Sequence, residues 1–330
     1  MNRPMSRAGR LSVFFALSSV LALSIARGEE LSPEAYQKAK AAVVEVLVNG
    51  HLNGTGWIGD AKGLIITAGH VVEQPDRRFE ITSPTLGRKE AKLLAVDLGH
   101  DLALLSIAPR KEGYPALKVA EKSPPPGAAV FIIGTPLYRH GLLATGSVAG
   151  PETAFEYYAD RFNEVVPIAA VVPRGLSGGP WLNAAGEAVG VQSGVMSQNS
   201  VPIGIAFASP LPAIRGLLER KKSAATPTLG LIVEELWTQD RKTMDRFGLK
   251  TEGLIVKTVL PDGPAARGGV KEADLIIAAD GKPVRLTADL MRIVYAKQPG
   301  QPLELTLQRP DGAGQTKATV NLGKLEVAWP

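Results

Sequence analysis

The sequence contains no cysteine and only four histidines, His51, His70, His100 and His140. The first absence excludes disulfides, thiol nucleophiles, cysteine-ligated metals and a lipidated N-terminal cysteine. No zinc-binding His-Glu-x-x-His pattern occurs, so no metal and no cofactor are expected. Aromatic residues are scarce at 5%, while there are 35 glycines and 25 prolines. That balance favours many short strands and tight turns over long helices. A strong excess of one charge sign is also missing. The formal charge is +5, and removing Arg3, Arg7, Arg10 and Arg27, which precede the first acid, leaves +1. A near-neutral body gives no electrostatic case for nucleic acid.

Those arginines belong to a segment read separately from the fold. Arg3, Arg7 and Arg10 form a positive start, Leu11 to Ala26 is uncharged and mostly apolar, and Ser24, Ala26 and Gly28 offer a cleavage site. Residues 1–28 are expected to be a signal peptide, because the apolar run is shorter than the ~20 residues a spanning helix needs. The product is then periplasmic or secreted, or membrane-anchored if the segment is not cleaved.

What remains is long enough for two domains. Ser32-Pro33-Glu34 opens a helix over about Pro33 to Ala42, with a cap, a proline at the first turn and an acid beside it. About twelve short, β-branched segments follow, from Val43–Val48 to Ile203–Ala208, and predict antiparallel barrels or sandwiches. Leu211 to Arg220 closes this domain as a helix, and the small, polar stretch Lys221–Pro227 holds the linker. The boundaries are placed at 29–222 for the first domain, 223–227 for the linker, 228–325 for a second, α+β domain and 326–330 for a tail.

Three segments carry groups suited to chemistry: Thr67-Ala68-Gly69-His70, Gly99-His100-Asp101-Leu102 and Gly175-Leu176-Ser177-Gly178-Gly179-Pro180. A serine hydroxyl is a poor nucleophile until an imidazole takes its proton, and a buried carboxylate must orient that imidazole. The glycines around Ser177 let two backbone N–H groups, those of Gly175 and Ser177, converge on a developing oxyanion. Singly, each residue has a structural explanation: a histidine after a strand, an aspartate forming a turn, a flexible glycine loop. Their joint presence in one all-β domain favours chemistry. His100 and His140 read as loop residues, and His51 as part of a hairpin connection spanning Asn49 to Gly54.

These three segments resemble the triad blocks of chymotrypsin-fold proteases. The surrounding sequence is more similar to the HtrA (Deg-type) branch: Gly54-Thr55-Gly56, Asp97, Ile133-Gly134-Thr135-Pro136 and Ile203-Gly204-Ile205-Ala206-Phe207-Ala208. The resemblance implies a double β-barrel serine protease, with His70 as base, Asp101 as orienting acid and Ser177 as nucleophile. It places the base of the primary specificity pocket six residues before the nucleophile, at Val171, and the wall at Ile203 and Ile205. An apolar pocket implies cleavage after aliphatic residues. Leu176 and Trp181 depart from the family pattern, and only Tyr36 is available for N-terminal aromatic trimer contacts, so a homo-oligomer is left open.

The second domain resembles a PDZ domain through Thr228-Leu229-Gly230-Leu231, Asp262-Gly263-Pro264-Ala265-Ala266 and Asp274-Leu275-Ile276. The resemblance implies that a peptide C-terminus adds to an exposed strand edge, with its carboxylate held by loop N–H groups. Leu229, Gly230, Leu231 and Val233 are expected on the strand side, and Leu290, Ile293 and Val294 on a helix spanning Leu286 to Lys297. The implied partners are unfolded or misfolded proteins and peptide C-termini. The competing reading is a non-catalytic PDZ adaptor or chaperone with a vestigial protease domain.

Overall fold

The computed structural model describes residues 30–73, 77–150, 153–199, 201–248, 252–310 and 314–326. The expected signal segment and the last four residues of the expected tail lie outside the described residues. Helix α1 (Pro33–Ala42) begins as its sequence dictates, with Ser32 Oγ accepting the Ala35 N–H at 3.1 Å. Strands β1 (Val43–Val48), β2 (His51–Ile58), β3 (Leu64–Ala68), β4 (Phe79–Thr82), β5 (Lys89–Asp97) and β6 (Leu102–Ile107) follow, with the short helix α2 (Gly69–Val72) after β3. They close into a barrel in the order β1-β2-β3-β6-β5-β4. The β1–β2 turn is shorter than expected. Only Asn49 and Gly50 turn, both at positive φ, and His51 already pairs with Val48.

Strands β1, β3 and β6 read as near-continuous apolar runs because both of their faces are largely buried. In β6, Ala103 and Leu105 fill the barrel with Val44, Val46 and Ile65. Leu102 and Leu104 point the other way, into a seam with Ile133, Leu182, Val191, Ile214 and Leu217.

That seam joins the second barrel. Its strands are β7 (Ala129–Gly134), β8 (Leu142–Val148), β9 (Ala154–Tyr158), β10 (Arg161–Ala169), β11 (Pro180–Leu182), β12 (Ala188–Gln198) and β13 (Val201–Pro210). They run β13-β12-β11-β7-β8-β10-β9, and β10 also pairs with β13, which closes the sheet on itself. Helix α3 (Leu211–Arg220) seals the seam through Ala213, Ile214 and Leu217. Strand β9 was not among the expected strands: its turn to β10 is Ala159–Asp160, both at positive φ without a glycine or asparagine. The sequence predicts a strand over Val165–Val171; β10 starts four residues earlier, at Arg161, and stops two residues short of it, at Ala169.

The C-terminal domain contains β14 (Pro227–Thr228), β15 (Leu231–Glu235), helix α4 (Arg241–Asp245), β16 (Leu254–Val259), helix α5 (Pro264–Arg267), β17 (Leu275–Ala279), β18 (Lys282–Pro283), helix α6 (Thr287–Tyr295), β19 (Pro302–Gln308), β20 (Gln315–Asn321) and β21 (Gly323–Lys324). Its main sheet runs β15-β16-β17-β19-β20. The unexpected α4 is nucleated by Asp240, whose Oδ1 accepts the Thr243 N–H at 2.8 Å.

The connection between domains is not a free tether. Ala224 N–H donates to the Val96 carbonyl at 2.9 Å, Ser223 Oγ accepts the Val96 N–H at 3.1 Å, and buried Thr226 Oγ1 accepts the Gly99 N–H at 3.2 Å. From α6, Tyr295 donates its hydroxyl to the Phe162 carbonyl at 2.6 Å and meets the Phe155 ring edge-on at 5.3 Å. Phe155 and Phe162 pack into the core cluster of the C-terminal domain.

Beside Tyr295, His100 Nδ1 lies 2.8 Å from Asp97 Oδ1 and His100 Nε2 lies 3.1 Å from Glu164 Oε2. Arg220 holds the other Asp97 oxygen at 3.2 Å. Burial opposes the imidazolium, but the hydrogen bonds and charges of Asp97 and Glu164 win and push its pKa up to about 9. A raised folded-state pKa contributes stability that is complete below the ordinary value of 6.5 and is lost as pH rises through about 9. The difference in Tm between the parent chain and His100→Gln should therefore shrink across that window. A difference that stays constant from pH 6.5 to above 9 would contradict the charged state.

Candidate active site

His70 sits in the short helix α2 that directly follows β3. Asp101 precedes β6 with φ 50° and ψ 50°, a left-handed conformation that aspartate tolerates. Neighbouring strands β3 and β6 thus bring the two residues face to face. Asp101 has no exposed surface, so both oxygens of its carboxylate need donors. Oδ1 accepts the His70 backbone N–H at 2.8 Å, and Oδ2 accepts His70 Nδ1–H at 2.8 Å. Ser193 Oγ donates to the same Oδ2.

The electrostatics follow from this set. Burial alone would raise the Asp101 pKa, but the His70 charge and hydrogen bond, with Ser193, hold it below the usual carboxylate range. Burial alone would lower the His70 pKa. The Asp101 charge and hydrogen bond, aided by Glu73 and opposed by Arg161, hold it above its ordinary value. The pair therefore favours an ionised carboxylate and an imidazole whose Nδ1 keeps its proton, leaving Nε2 as the free base.

Ser177 stands on a turn that Thr55 clamps. Thr55 N–H donates to the Ser177 carbonyl at 2.8 Å, and Thr55 Oγ1 donates to the Gly175 carbonyl at 2.8 Å while accepting the Thr135 N–H at 3.0 Å. Gly178 donates to the Gln192 carbonyl at 2.7 Å. A Cβ on Gly178 would lie 2.1 Å from the Thr55 carbonyl oxygen, so only glycine fits there. A Cβ on Gly54 would meet Val71 at 2.7 Å and the Ser177 carbonyl at 2.8 Å, which puts the His70 helix and the Ser177 turn side by side. No hydrogen bond joins Ser177 Oγ to His70 among the described residues. The Gly175 and Ser177 N–H groups likewise donate to no other described residue. Leu176 is fully buried, and a Cβ on Gly134 would come within 2.5 Å of it. Trp181 is also buried, with its indole N–H donating to Gln192 Oε1 at 2.9 Å.

The expected specificity pocket fares differently. Val171 is 69% exposed, Ile203 is 50% exposed and Ile205 is half-buried. The β10–β13 ladder ends at Ala169 and Ile205, and one more bond runs from Ala170 N–H to the Gly204 carbonyl. Beyond it Val171 and Ile203 face solvent.

In the C-terminal domain, Leu229, Leu231 and Val233 are buried, and Leu290 and Val294 are fully buried in the core, with Ile293 packed against it. Core packing has claimed Leu290 and Val294, so they cannot line an open groove. One residue further round α6, Met291 and Tyr295 face a cleft of about 220 Å³ with Leu229, Gly230, Leu231 and Ile232. Protease-side residues Tyr157, Arg161 and Phe162 form its opposite wall. Gly230 adopts φ +67°, and its N–H donates to Thr228 Oγ1 at 3.1 Å. Sequence reasoning also missed Ser193 and its partner Tyr158, because a lone serine or tyrosine in a strand carries no signal.

The fold and these geometries define a trypsin-like peptidase domain followed by a PDZ domain. Residues 54–191 match the trypsin-like peptidase domain family, and residues 227–322 match the PDZ domain family. The chain is similar to solved proteases described as HtrA-type. It is 32% identical over 274 residues to a "Probable periplasmic serine endoprotease DegP-like" of Pseudomonas fulva, covering 81% of this chain and 55% of the relative. A relative of the same description from Ectopseudomonas mendocina is 29% identical over 272 residues, covering 81% and 56%. The chain thus spans about half the length of these curated relatives. Among solved structures, the HtrA-type protease AlgW with a decapeptide superposes with a TM-score of 0.64 at 22% identity, over 88% of this chain and 98% of that one. A serine endoprotease from Yersinia pestis gives 0.61 at 25% identity, over 89% and 100%.

The clamp on the Ser177 turn yields a test. Thr55→Val keeps the shape but leaves the Gly175 carbonyl and the Thr135 N–H without their partner. Denaturant unfolding should show a loss of about 1–3 kcal/mol, with Thr55→Ser retaining most of the stability. An unchanged midpoint for Thr55→Val would remove the clamp.

Proposed function

We propose that this chain is an exported serine endopeptidase that hydrolyses peptide bonds of unfolded or misfolded proteins through His70, Asp101 and Ser177. The observation that carries the reading is the 2.8 Å contact of His70 Nδ1 with a fully buried Asp101. It leaves Nε2 to serve Ser177 on the adjoining turn. In this mechanism Nε2 takes the Ser177 proton as Oγ attacks the scissile carbonyl. The uncommitted Gly175 and Ser177 N–H groups receive the oxyanion. The imidazolium, stabilised by Asp101, returns the proton to the leaving amine, and water repeats the cycle on the acyl-enzyme. The names of the curated relatives support a periplasmic setting and protein substrates.

The experiment is cleavage of casein by the full chain and by Ser177→Ala. The variant removes one hydroxyl from a half-buried turn and no core volume, so it should keep its Tm and lose activity by at least about 10³-fold. A phosphonate that labels serine nucleophiles should modify the parent chain only. Undiminished cleavage by a clean Ser177→Ala preparation would exclude the triad.

We further assign peptide C-termini to the PDZ domain, at the cleft between β15 and the Met291 and Tyr295 side of α6. An extended peptide there can pair with the β15 edge and present its carboxylate near Gly230. Titrating the full chain with an apolar-ended peptide should give clearly tighter binding than the same peptide amidated at its C-terminus. Equal affinities would mean that the carboxylate is not read.

A further inference from the structure

The β9–β10 hairpin carries a tyrosine that the triad reading leaves unused. Tyr158 is the last residue of β9, and its hydroxyl lies 2.5 Å from Ser193 Oγ. Ser193 is buried on β12 and donates to Asp101 Oδ2. An ionised carboxylate only accepts, so the single Ser193 proton is committed to it. The Ser193 oxygen must then accept, and the phenol must be the donor. The chain of protons runs one way: Tyr158 to Ser193 to Asp101.

The ring is fixed for this task. It stacks on Phe207 with centroids 6.2 Å apart and planes 7° apart. A Cβ on Gly194 would lie 3.3 Å from Phe207 Cδ2 and 3.4 Å from Tyr158 Cζ, so both stacked rings pack closely over the glycine beside Ser193. Asn163 Nδ2 donates to the Tyr158 carbonyl at 3.0 Å and holds the backbone at the hairpin end.

We propose that Tyr158 is a positioning residue for the peptidase reaction, acting through Ser193 to hold the Asp101 carboxylate on His70. The proposal rests on the triad reading. Burial and the Asp101 charge raise the phenol well above its ordinary pKa, so it stays a donor at working pH. The charged groups facing His70 are Asp101, Glu73 and Arg161, and those facing Tyr158 are Asp101, Arg161 and Glu156. Arg161 pairs with Glu73 at 2.6 Å, and that pair is untouched by changes at the hydroxyl. Without the phenol, Ser193 is a weaker donor and a less fixed one. Asp101 becomes more basic and less well oriented. A more basic carboxylate holds the His70 imidazolium more tightly, so the acid limb of activity moves to higher pH.

The test uses the full chain with Tyr158→Phe, Ser193→Ala and the double variant, assayed on a fluorogenic peptide across pH. Tyr158→Phe keeps the stacked ring and should lower kcat about 2–10-fold, the range one hydrogen bond supplies. KM should not change, and the acid limb of kcat/KM should move up from that of the parent. The double variant should be no slower than Ser193→Ala, because one group acts through the other. Parent-like kcat and an unmoved acid limb in Tyr158→Phe would overturn the proposal, as would a double variant slowed by the product of the single effects. Were Tyr158→Phe to lose its fold by circular dichroism, Ser193→Ala with an unmoved acid limb and kcat would overturn it equally. Ser177→Ala assayed alongside separates the two readings. An active Ser177→Ala sinks the triad, whereas an inactive Ser177→Ala beside a parent-like Tyr158→Phe sinks only the positioning role.

Discussion

A carboxylate with no exposed surface must find a donor for each oxygen, and Asp101 takes its donors from separate parts of the chain. The His70 backbone and imidazole come from the helix after β3, and the Ser193 hydroxyl comes from β12 of the other barrel. Leaving such a charge unpaired in the interior would cost several kcal/mol. The two barrels are therefore held in one relative placement by a polar demand as well as by the apolar seam of Leu102, Leu104, Ile133 and Leu182. The seam supplies non-directional burial, and the carboxylate supplies direction.

Much of this was legible in the sequence where local chemistry is restrictive. Gly175 at φ +99° and Gly178 packed on the Thr55 carbonyl are positions where a side chain would not fit, so the glycines around Ser177 mark the turn plainly. The helix cap at Ser32 and the β-branched strands were equally readable. What stayed hidden depends on partners distant in sequence. Ser193 looks like any strand serine until β12 lies against Asp101. On α6 the periodicity marked an apolar face. It could not say that Leu290 and Val294 face the core while Met291 and Tyr295, one step round, face the cleft. Val171 was located by its distance from Ser177, a count that says nothing of where β10 stops pairing.

The two departures from the family pattern resolve into packing. Leu176 brings no polar atom and fills space left by Gly134 beside Thr55, so the Ser177 turn gains an apolar anchor. Trp181 brings a large ring with one donor, which a buried indole must satisfy. It donates to Gln192 Oε1, and the Gln192 backbone exchanges hydrogen bonds with Gly178 and Gly179. The larger side chain is thereby tied to the strand that supports the turn.

The β9–β10 hairpin then explains how one small ribbon serves two neighbours. Successive side chains of a strand point to opposite faces. Tyr157 pairs with Phe162 across the ladder, and Tyr158 pairs with Arg161. The first pair, with Phe155 in the same alternation, meets the PDZ domain: Tyr157 and Phe162 line its cleft and Phe155 meets Tyr295, while Glu164 on that face meets His100 of the first barrel. The second pair meets the surroundings of His70 and Asp101, Tyr158 through Ser193 and Arg161 through Glu73. Because adjacent residues of a paired ribbon cannot be displaced independently, a shift at the Phe162 carbonyl held by Tyr295 is also a shift at Arg161 and Tyr158. A peptide bound in the cleft as proposed above would bias the His70–Asp101 pair only to the extent that it binds one hairpin position better than another. The alternation supplies the mechanical link, and the differential contact of such a peptide with Tyr157 and Phe162 would set its size.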